Sequence, residues 1–235
     1  MECPVLIVAL DVPTLAAASD LVARLRHVTP WFKIGSVLFT ATGPEAVRAV
    51  HAAGGQVFLD LKFHDIPNTV AGSVAAAVNL GVALVTVHCA AGSAAMEAAA
   101  DAARRSGGAT RVLGVTRLTS DAGRVGASVL RAAASARAAG LDGVVASARE
   151  CARIRAACGP AFRVLTPAIR PSGAAVHDQA RVATPGQAVR AGADYLVVGR
   201  PITAAADPAS AAVAVAAEMQ AAFRQVDAAQ GSGAR

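Results

Sequence analysis

The sequence predicts a single-domain, closed (β/α)8 barrel of the TIM type, and three features support this prediction. Short runs of β-branched and apolar residues alternate with alanine-rich segments of helical periodicity along the chain. The length of 235 residues is close to that of one such barrel. Glycines and prolines fall where the helices of this alternation would end and begin.

Eight runs have the composition of buried parallel strands, which are nearly continuous in apolar residues. The first run, 5–10, is apolar at every position. The others follow at fairly even intervals, at 31–35, 56–61, 84–88, 111–115, 143–146, 163–166 and 195–199. Eight parallel strands in a chain of this length favour a closed barrel over an open, doubly wound sheet.

The segments between these strands have helical periodicity, for example at 15–25, 45–53, 69–79 and 96–105. Glycines follow several predicted helices, where a left-handed residue commonly ends a helix: Gly54, Gly55, Gly81, Gly140, Gly159 and Gly192. Pro44, Pro67 and Pro185 occupy predicted first turns, where a missing N–H costs nothing. We expect the barrel to occupy residues 1–224. The small, polar residues 225–235 are expected to form a disordered tail.

Composition argues against several other classes of protein. With 54% hydrophobic and 16% charged residues the chain is globular, yet no apolar stretch reaches the ~18 residues of a membrane span. The N-terminal residues do not have the pattern of a signal peptide, so a cytoplasmic location is expected. The four cysteines have neither zinc-site nor disulfide-framework spacing.

The formal net charge of +6 raises the question of nucleic-acid binding. The arginines, however, are spread over separate predicted helices, and the chain has only one Trp, one Tyr and six Phe. Because a stacking surface for bases needs aromatic residues among the basic ones, we do not expect a nucleic-acid partner. A solvated, arginine-rich surface accounts for the charge.

The active site of a (β/α)8 barrel forms at the C-terminal ends of its strands, so polar residues there carry functional weight. These residues are Asp11, Lys33, Asp60, Lys62, Asp65, His88, Thr119, Arg170 and Arg200. Asp60 and Lys62 are two residues apart on a strand and should point the same way, and Asp65 follows on the loop. A single Asp–Lys pair is equally consistent with a structural salt bridge. Four charges of alternating sign at this rim favour chemistry instead.

A lysine held between aspartates should stay protonated. We therefore expect Lys62 to act as a general acid, and we do not expect it to be a nucleophile or to form a Schiff base.

Residues 60–69, Asp-Leu-Lys-Phe-His-Asp-Ile-Pro-Asn-Thr, resemble the D-x-K-x-x-D-I-x-x-T signature of the orotidine 5′-phosphate decarboxylase family, in its bacterial form. The resemblance runs from about residue 8 to residue 208. Shorter matches lie at the other strand ends, at 9–11, 32–35, 118–120, 166–171 and 199–202.

The resemblance implies that the protein converts orotidine 5′-phosphate to uridine 5′-phosphate and CO2, the last step of de novo pyrimidine nucleotide synthesis. It implies no cofactor and no metal. The catalytic residues would be Lys33, Asp60, Lys62 and Asp65. Asp60 would lie beside the departing carboxylate, and Lys62 would protonate the C6 carbanion that remains.

The resemblance also implies residues that contact the rest of the substrate. Asp60, which is one of the catalytic residues, is a substrate-binding residue as well. Asp11 and Lys33 would contact the ribose, and Thr119 the pyrimidine edge. The phosphate would be bound by Arg170, Gln179, Gly199 and Arg200. Asp65, Ile66 and Thr69 would reach into the partner's site of a homodimer.

Three features depart from the family pattern. Arg117 stands where an apolar residue is usual, and two positions are open to it, one facing the solvent and one reaching the site. Ala168 stands where glycine is common. The segment 121–127 is shorter than in many relatives, so the lid over the pyrimidine is expected to be trimmed.

Two other functions stay open. A magnesium-dependent sister barrel, a decarboxylase or aldolase acting on a keto-sugar phosphate, shares the Asp-x-Lys-x-x-Asp core. Its pattern has an acidic residue where this chain has Lys33, and it lacks the Ile-Pro-Asn-Thr of 66–69. A catalytically silent barrel that binds a phosphate ligand would keep Gly199 and Arg200 but has no need of the three charges at Asp60, Lys62 and Asp65.

Overall fold

Eight parallel strands form a closed barrel in the computed structural model, which describes residues 3–107, 109–117, 126–171 and 182–232. Each strand pairs with the next, and the last pairs with the first. The strands are β1 Val5–Ala9, β2 Trp31–Gly35, β3 Gln56–Phe63, β4 Leu84–His88, β5 Arg111–Val115, β6 Gly143–Val145, β7 Arg163–Thr166 and β8 Tyr195–Val198. The predicted single-domain (β/α)8 barrel is confirmed.

Helices alternate with these strands and cover the outside of the barrel. They are α1 Leu15–Leu25, α2 Ser36–Thr42, α3 Glu45–Ala52, α4 Pro67–Asn79, α5 Ser93–Arg105, α6 Gly126–Ala138, α7 Ala148–Cys158, α8 Pro185–Arg190, α9 Arg200–Thr203 and α10 Pro208–Ser232, with a 3-10 turn at Cys89–Ala91. Among the described residues, no helix is both long and apolar enough to cross a membrane.

Local sequence explains where several helices begin and end. Thr14 precedes α1, and its hydroxyl accepts the backbone N–H of Ala17 at 3.2 Å. Pro67 is the first residue of α4, where its fixed φ suits the helix and no N–H is needed. Gly140 and Gly192 follow helices with φ of 80° and 92°, a conformation that residues with a Cβ rarely adopt.

The core consists of two layers on either side of the strands. The larger layer fills the space between the strands and the surrounding helices. The smaller layer fills the barrel itself with side chains such as Ile7, Phe58, Leu113, Leu165 and Val197. Because this filling closes the interior below the strand ends, polar side chains at the C-terminal ends stand on an apolar floor.

The last helix is longer than the sequence suggests. α10 continues to Ser232 and so covers 225–232, most of the segment for which the sequence predicts a disordered tail. Gln225, Ala228 and Ala229 favour helix and extend a helix that is already packed on the barrel through Val215, Met219 and Ala222.

Candidate active site

A cavity of about 510 Å³ opens at the C-terminal ends of the strands. Seven of the twelve predicted site residues line it: Asp11, Lys33, Asp60, Lys62, Arg170, Gly199 and Arg200. Its apolar floor includes Phe58, Val115, Leu165 and Val197. The strands therefore bring together, from five different strand ends, residues that are up to 189 positions apart in the chain.

Four of these side chains form one network of alternating charge, joined by two hydrogen bonds and one longer ion pair. The Lys33 ammonium donates to Asp11 Oδ1 at 2.7 Å and lies 3.9 Å from Asp60 Oδ2. The Lys62 ammonium donates to the same Asp60 Oδ2 at 2.8 Å. The Asp60 side chain is only 12% exposed, so these attractions act in a partly desolvated site, where they are stronger than in water.

The end of β3 is irregular at the position that carries the second lysine. The pairing of β3 with β4 shifts register between Leu59 and Phe63, and Lys62 adopts φ of 51°. The Lys62 backbone N–H donates to the Thr86 hydroxyl at 3.0 Å, and that hydroxyl donates to Asp60 Oδ1 at 3.1 Å. The two-residue spacing predicts that Asp60 and Lys62 face the same cavity, and they do, but through a left-handed turn at Lys62.

The absence of a side chain at Gly35 leaves room for the Lys33 ammonium. A Cβ built on Gly35 would lie 2.7 Å from Lys33 Nζ and 3.1 Å from Asp11 Oδ1. Real Cβ atoms do not approach that closely, so any larger residue at position 35 would displace the Lys33 ammonium. Gly35, the last residue of β2, therefore leaves the space that the Lys33 ammonium occupies.

The cavity has an excess of positive charge. Among the described residues five cationic side chains line it, Lys33, Lys62, Arg117, Arg170 and Arg200, against the two carboxylates Asp11 and Asp60. Arg170 is only 7% exposed, and its Nε has no hydrogen-bond partner in the part of the chain that the structure describes. A buried guanidinium group with an unused donor favours an anionic ligand.

The residues that depart from the family pattern lie at the same cavity. Arg117 is one of the lining residues and is also exposed, so it lies at the cavity and in contact with solvent. Ala168 also lines the cavity and has φ of 63°. A positive φ explains why glycine would be common at that position, since a Cβ is strained there.

The three residues assigned to a partner's site lie outside the cavity. Asp65, Ile66 and Thr69 are exposed, between the end of β3 and the first turn of α4. Asp65 Oδ1 accepts the backbone N–H of Ile66 at 2.7 Å, and Ile66 itself is 66% exposed.

Two predicted contacts cannot be placed. Thr119 and Gln179 lie outside the described residues, as does most of the segment 121–127. Their assigned contacts to the pyrimidine and the phosphate stay predictions.

Sequence reasoning missed Thr86 as a site residue. Its signal in the sequence is a hydroxyl among the apolar residues Leu84, Val85 and Val87 of β4, and in the structure that position is fully buried. A polar residue in such a run indicates a partner, although the sequence does not tell which one.

The described residues also bear on the cysteines and on metal binding. Burial raises the pKa of Cys89 to about 12 and that of Cys151 to about 11, so both thiols stay protonated at neutral pH. No group of three or more His, Cys, Asp or Glu side chains is placed to hold a metal ion within the described ranges.

Comparison with known proteins agrees with this geometry. The sequence model described as "Orotidine 5'-phosphate decarboxylase / HUMPS family" matches residues 4–215. Proteins named orotidine 5'-phosphate decarboxylase are 53% identical in Moorella thermoacetica, over 92% of each chain, and 51% identical in Halorhodospira halophila, over 93% of this chain and 97% of the relative. The crystal structure of orotidine 5'-phosphate decarboxylase from Lactobacillus acidophilus superposes with a TM-score of 0.81 at 34% identity, covering 93% of this chain and 99% of that one. This chain belongs to the orotidine 5'-phosphate decarboxylase / HUMPS family.

Proposed function

We propose that the protein decarboxylates orotidine 5′-phosphate to uridine 5′-phosphate and CO2 with no cofactor, as the last step of pyrimidine nucleotide synthesis. The observation that carries this proposal is the network of Asp11, Lys33, Asp60 and Lys62 at the cavity. Its relatives in Moorella thermoacetica and Halorhodospira halophila, at about half identity over nine-tenths of the chain, have the matching name.

The reaction breaks the bond between C6 and the carboxylate and leaves its electron pair on C6, in the plane of the ring. Because no adjacent π system absorbs that charge, the protein must stabilise it electrostatically. Lys62 carries the proton that C6 needs. It donates this proton to the carbanion, becomes neutral, and is reprotonated from solvent after the product leaves.

Asp60 lies where it can act on both partners of this step. One of its oxygens accepts the Lys62 ammonium, and the carboxylate would face the departing carboxylate of the substrate. Two like charges ~4 Å apart repel by about 4 kcal/mol at an effective dielectric constant of 20. Loss of CO2 removes this repulsion, while the attraction of Lys62 for the developing carbanion grows.

The charge of the cavity matches the charge of this substrate. Orotidine 5′-phosphate has one carboxylate and a dianionic phosphate, and the cavity lining has an excess of three positive charges among the described residues. Arg170 and Arg200 stand on the side of β7 and β8, where Gly199 also lines the cavity. We assign the phosphate to these three residues together with Gln179, and the ribose hydroxyls to Asp11 and Lys33.

The proposal includes a homodimer with two shared sites. Asp65, Ile66 and Thr69 are exposed and do not line their own chain's cavity, which supports a role in the partner's site. The expected cytoplasmic location and the absence of a nucleic-acid partner belong to the same proposal.

Two alternatives have less support. The family description also covers a second group of barrels, and the magnesium-dependent sister enzymes have an acidic residue where Lys33 stands. The Lys33 ammonium lies at the centre of the network, between Asp11 and Asp60. The basic residue at this position is therefore part of the site, which favours orotidine 5′-phosphate over the sister enzymes. A silent phosphate-binding barrel does not require a partly buried Asp60 paired with two lysines.

The first test measures turnover of orotidine 5′-phosphate by the purified protein in excess EDTA. The decrease in the absorbance of the substrate reports the reaction. We expect full conversion of orotidine 5′-phosphate, unchanged when magnesium is added. Hexulose 6-phosphate and 3-keto-gulonate 6-phosphate, with and without magnesium, serve as controls. Turnover of either sugar phosphate, or turnover of orotidine 5′-phosphate only with magnesium, would contradict the proposal in favour of the sister barrels.

A further inference from the structure

The hydroxyl of Thr86 connects the two residues proposed to carry the chemical step. Thr86 lies in β4 and is 0% exposed. Its single hydroxyl proton goes to Asp60 Oδ1 at 3.1 Å, and its oxygen accepts the backbone N–H of Lys62 at 3.0 Å. One side chain thus contacts both Asp60 and Lys62 without lining the cavity itself.

The contact to Lys62 supports an uncommon backbone conformation. A φ of 51° at a residue with a long side chain is sparsely populated and persists only where neighbouring contacts hold it. The register shift between Leu59 and Phe63 interrupts the regular pairing with β4 at this point. The Thr86 hydroxyl supplies the acceptor that the Lys62 backbone N–H would otherwise lack at this point.

The contact to Asp60 fixes how its carboxylate is turned. Oδ2 faces the ammonium groups, at 2.8 Å from Lys62 and 3.9 Å from Lys33. Oδ1 is held on the opposite side by Thr86. With one oxygen tied on each side, the carboxylate cannot rotate about its Cβ–Cγ bond without losing a hydrogen bond.

We propose that Thr86 is a positioning residue for the protonation step: it aligns the Asp60 carboxylate and the Lys62 backbone so that the Lys62 ammonium meets C6. This inference rests on the proposed function. Thr86 does not touch the cavity, so it acts only through these two residues. Its loss should slow the chemical step and leave substrate binding nearly intact, because the phosphate is assigned to the distant β7 and β8 side.

The test compares Thr86→Val, which keeps the shape and removes the hydroxyl, with Thr86→Ser, which keeps the hydroxyl. We expect Thr86→Val to lower kcat by about 10–100-fold, since small misplacements of catalytic groups have effects of this order, with KM changed by less than about threefold. Thr86→Ser should restore kcat to within about threefold of the wild type. Thr86→Ala, which also lacks the hydroxyl, replaces the valine variant if that variant does not fold.

Thr29 offers a matched control at the opposite end of the barrel. It is 4% exposed, its hydroxyl donates to the Leu6 carbonyl at 2.7 Å, and it accepts the Trp31 N–H at 3.1 Å. Thr29→Val therefore removes the same kind of buried bridge far from the cavity. We expect it to lower the melting temperature and leave kcat unchanged.

Two further measurements separate positioning from general stability. Amide hydrogen exchange at Lys62 should be faster in Thr86→Val and unchanged in Thr29→Val, because only the first loses the acceptor. In an Asp60→Asn background, Thr86→Val should lower the residual kcat by much less than it does in the wild type.

The outcomes are distinct. Wild-type kcat in folded Thr86→Val, an equal loss in Thr29→Val, or no recovery in Thr86→Ser would overturn the role of Thr86. The proposed function is tested separately, by turnover of the wild type and by the loss expected in Asp60→Asn. If the wild type is active and Asp60→Asn retains full activity, the mechanism fails at Asp60 itself.

Discussion

Backbone strain is concentrated at the cavity. Among the described residues only Lys62 and Ala168 combine a side chain with positive φ, and both line the cavity. Such conformations cost free energy and are found at functional sites, where surrounding contacts impose them. At Lys62 the contact is the Thr86 hydroxyl, and at Ala168 the carbonyl accepts the Ala183 N–H at 3.4 Å.

Replacement of Ala168 by glycine should stabilise the protein. Alanine is strained at φ of 63°, so we expect Ala168→Gly to raise the free energy of unfolding by about 1 kcal/mol, or about 2–4 °C in Tm for a chain of this size. Calorimetry measures this directly. Ala146→Gly, at another buried position without positive φ, is the control and should lower Tm. A lower Tm for Ala168→Gly would contradict the inference that the backbone of Ala168 is strained.

The sequence predicts which of these residues meet at the cavity better than it predicts how they contact one another. The two-residue spacing placed Asp60 and Lys62 on one face, and the strand ends identified Asp11, Lys33 and Arg170. Thr86 escaped notice because its partners lie 24 and 26 positions earlier in the chain. Local pattern carries no information about a hydrogen bond that depends on a register shift.

The hydrophobic periodicity of the sequence predicts the strands and helices, but contacts in the folded structure determine where each one begins and ends. β1, β2, β4 and β5 match their predicted bounds to within one residue, whereas β3 runs on to Phe63 through the irregular pairing. α9 begins at Arg200 and follows directly on the residue after β8. Gly199 and Arg200 therefore stand at the start of that helix, beside the cavity.

The start of the last helix contains a carboxylate that acts as its cap. Asp207 immediately precedes α10, and Oδ1 accepts the backbone N–H groups of Ala209 at 3.0 Å and Ser210 at 3.3 Å. Oδ2 accepts the Ser210 hydroxyl at 2.6 Å. These hydrogen bonds from Ser210 and then Ala209 lower the pKa of Asp207, because they favour the charged form.

This lowered pKa predicts a pH-dependent contribution to stability. A carboxyl whose pKa is lower in the folded state stabilises the protein at pH values above its unfolded-state pKa. This stabilisation is lost as the pH falls through the folded-state pKa. We expect Asp207→Ala to lower Tm at pH 7, with the difference from wild type shrinking below about pH 4, where the unfolded carboxyl is protonated. Thermal melts across this range measure it.

Asp227→Ala, an exposed change of the same charge on the same helix, is the control for Asp207. It should leave Tm nearly unchanged. A Tm deficit of Asp207→Ala that persists undiminished at low pH would show that the charge is not what caps the helix.

Charged groups are arranged differently at the two ends of the whole barrel. At the N-terminal end, Asp194 accepts Arg155 at 2.6 Å, Arg163 at 3.0 Å and the Val164 N–H at 2.7 Å, and so closes a structural network. At the C-terminal end the cations outnumber the carboxylates around an open cavity. The (β/α)8 fold predicts this division, with stability at one face and chemistry at the other.

The dimer is the part of the proposal that no single chain can display. Asp65, Ile66 and Thr69 are exposed and stand outside their own cavity, although they belong to the same ten-residue signature as Asp60 and Lys62. If the signature builds two sites, then Lys62 and Asp65 of one chain serve different cavities.

The most direct test of this shared site is to mix two inactive variants, Lys62→Ala and Asp65→Ala, and allow their subunits to exchange. Each mixed dimer would contain one site with both residues intact and one with neither. Random exchange at equal amounts should therefore restore about 25% of wild-type activity per site. No recovery after demonstrated exchange would show that each site is built from one chain, and full activity of Lys62→Ala alone would contradict its role as the proton donor.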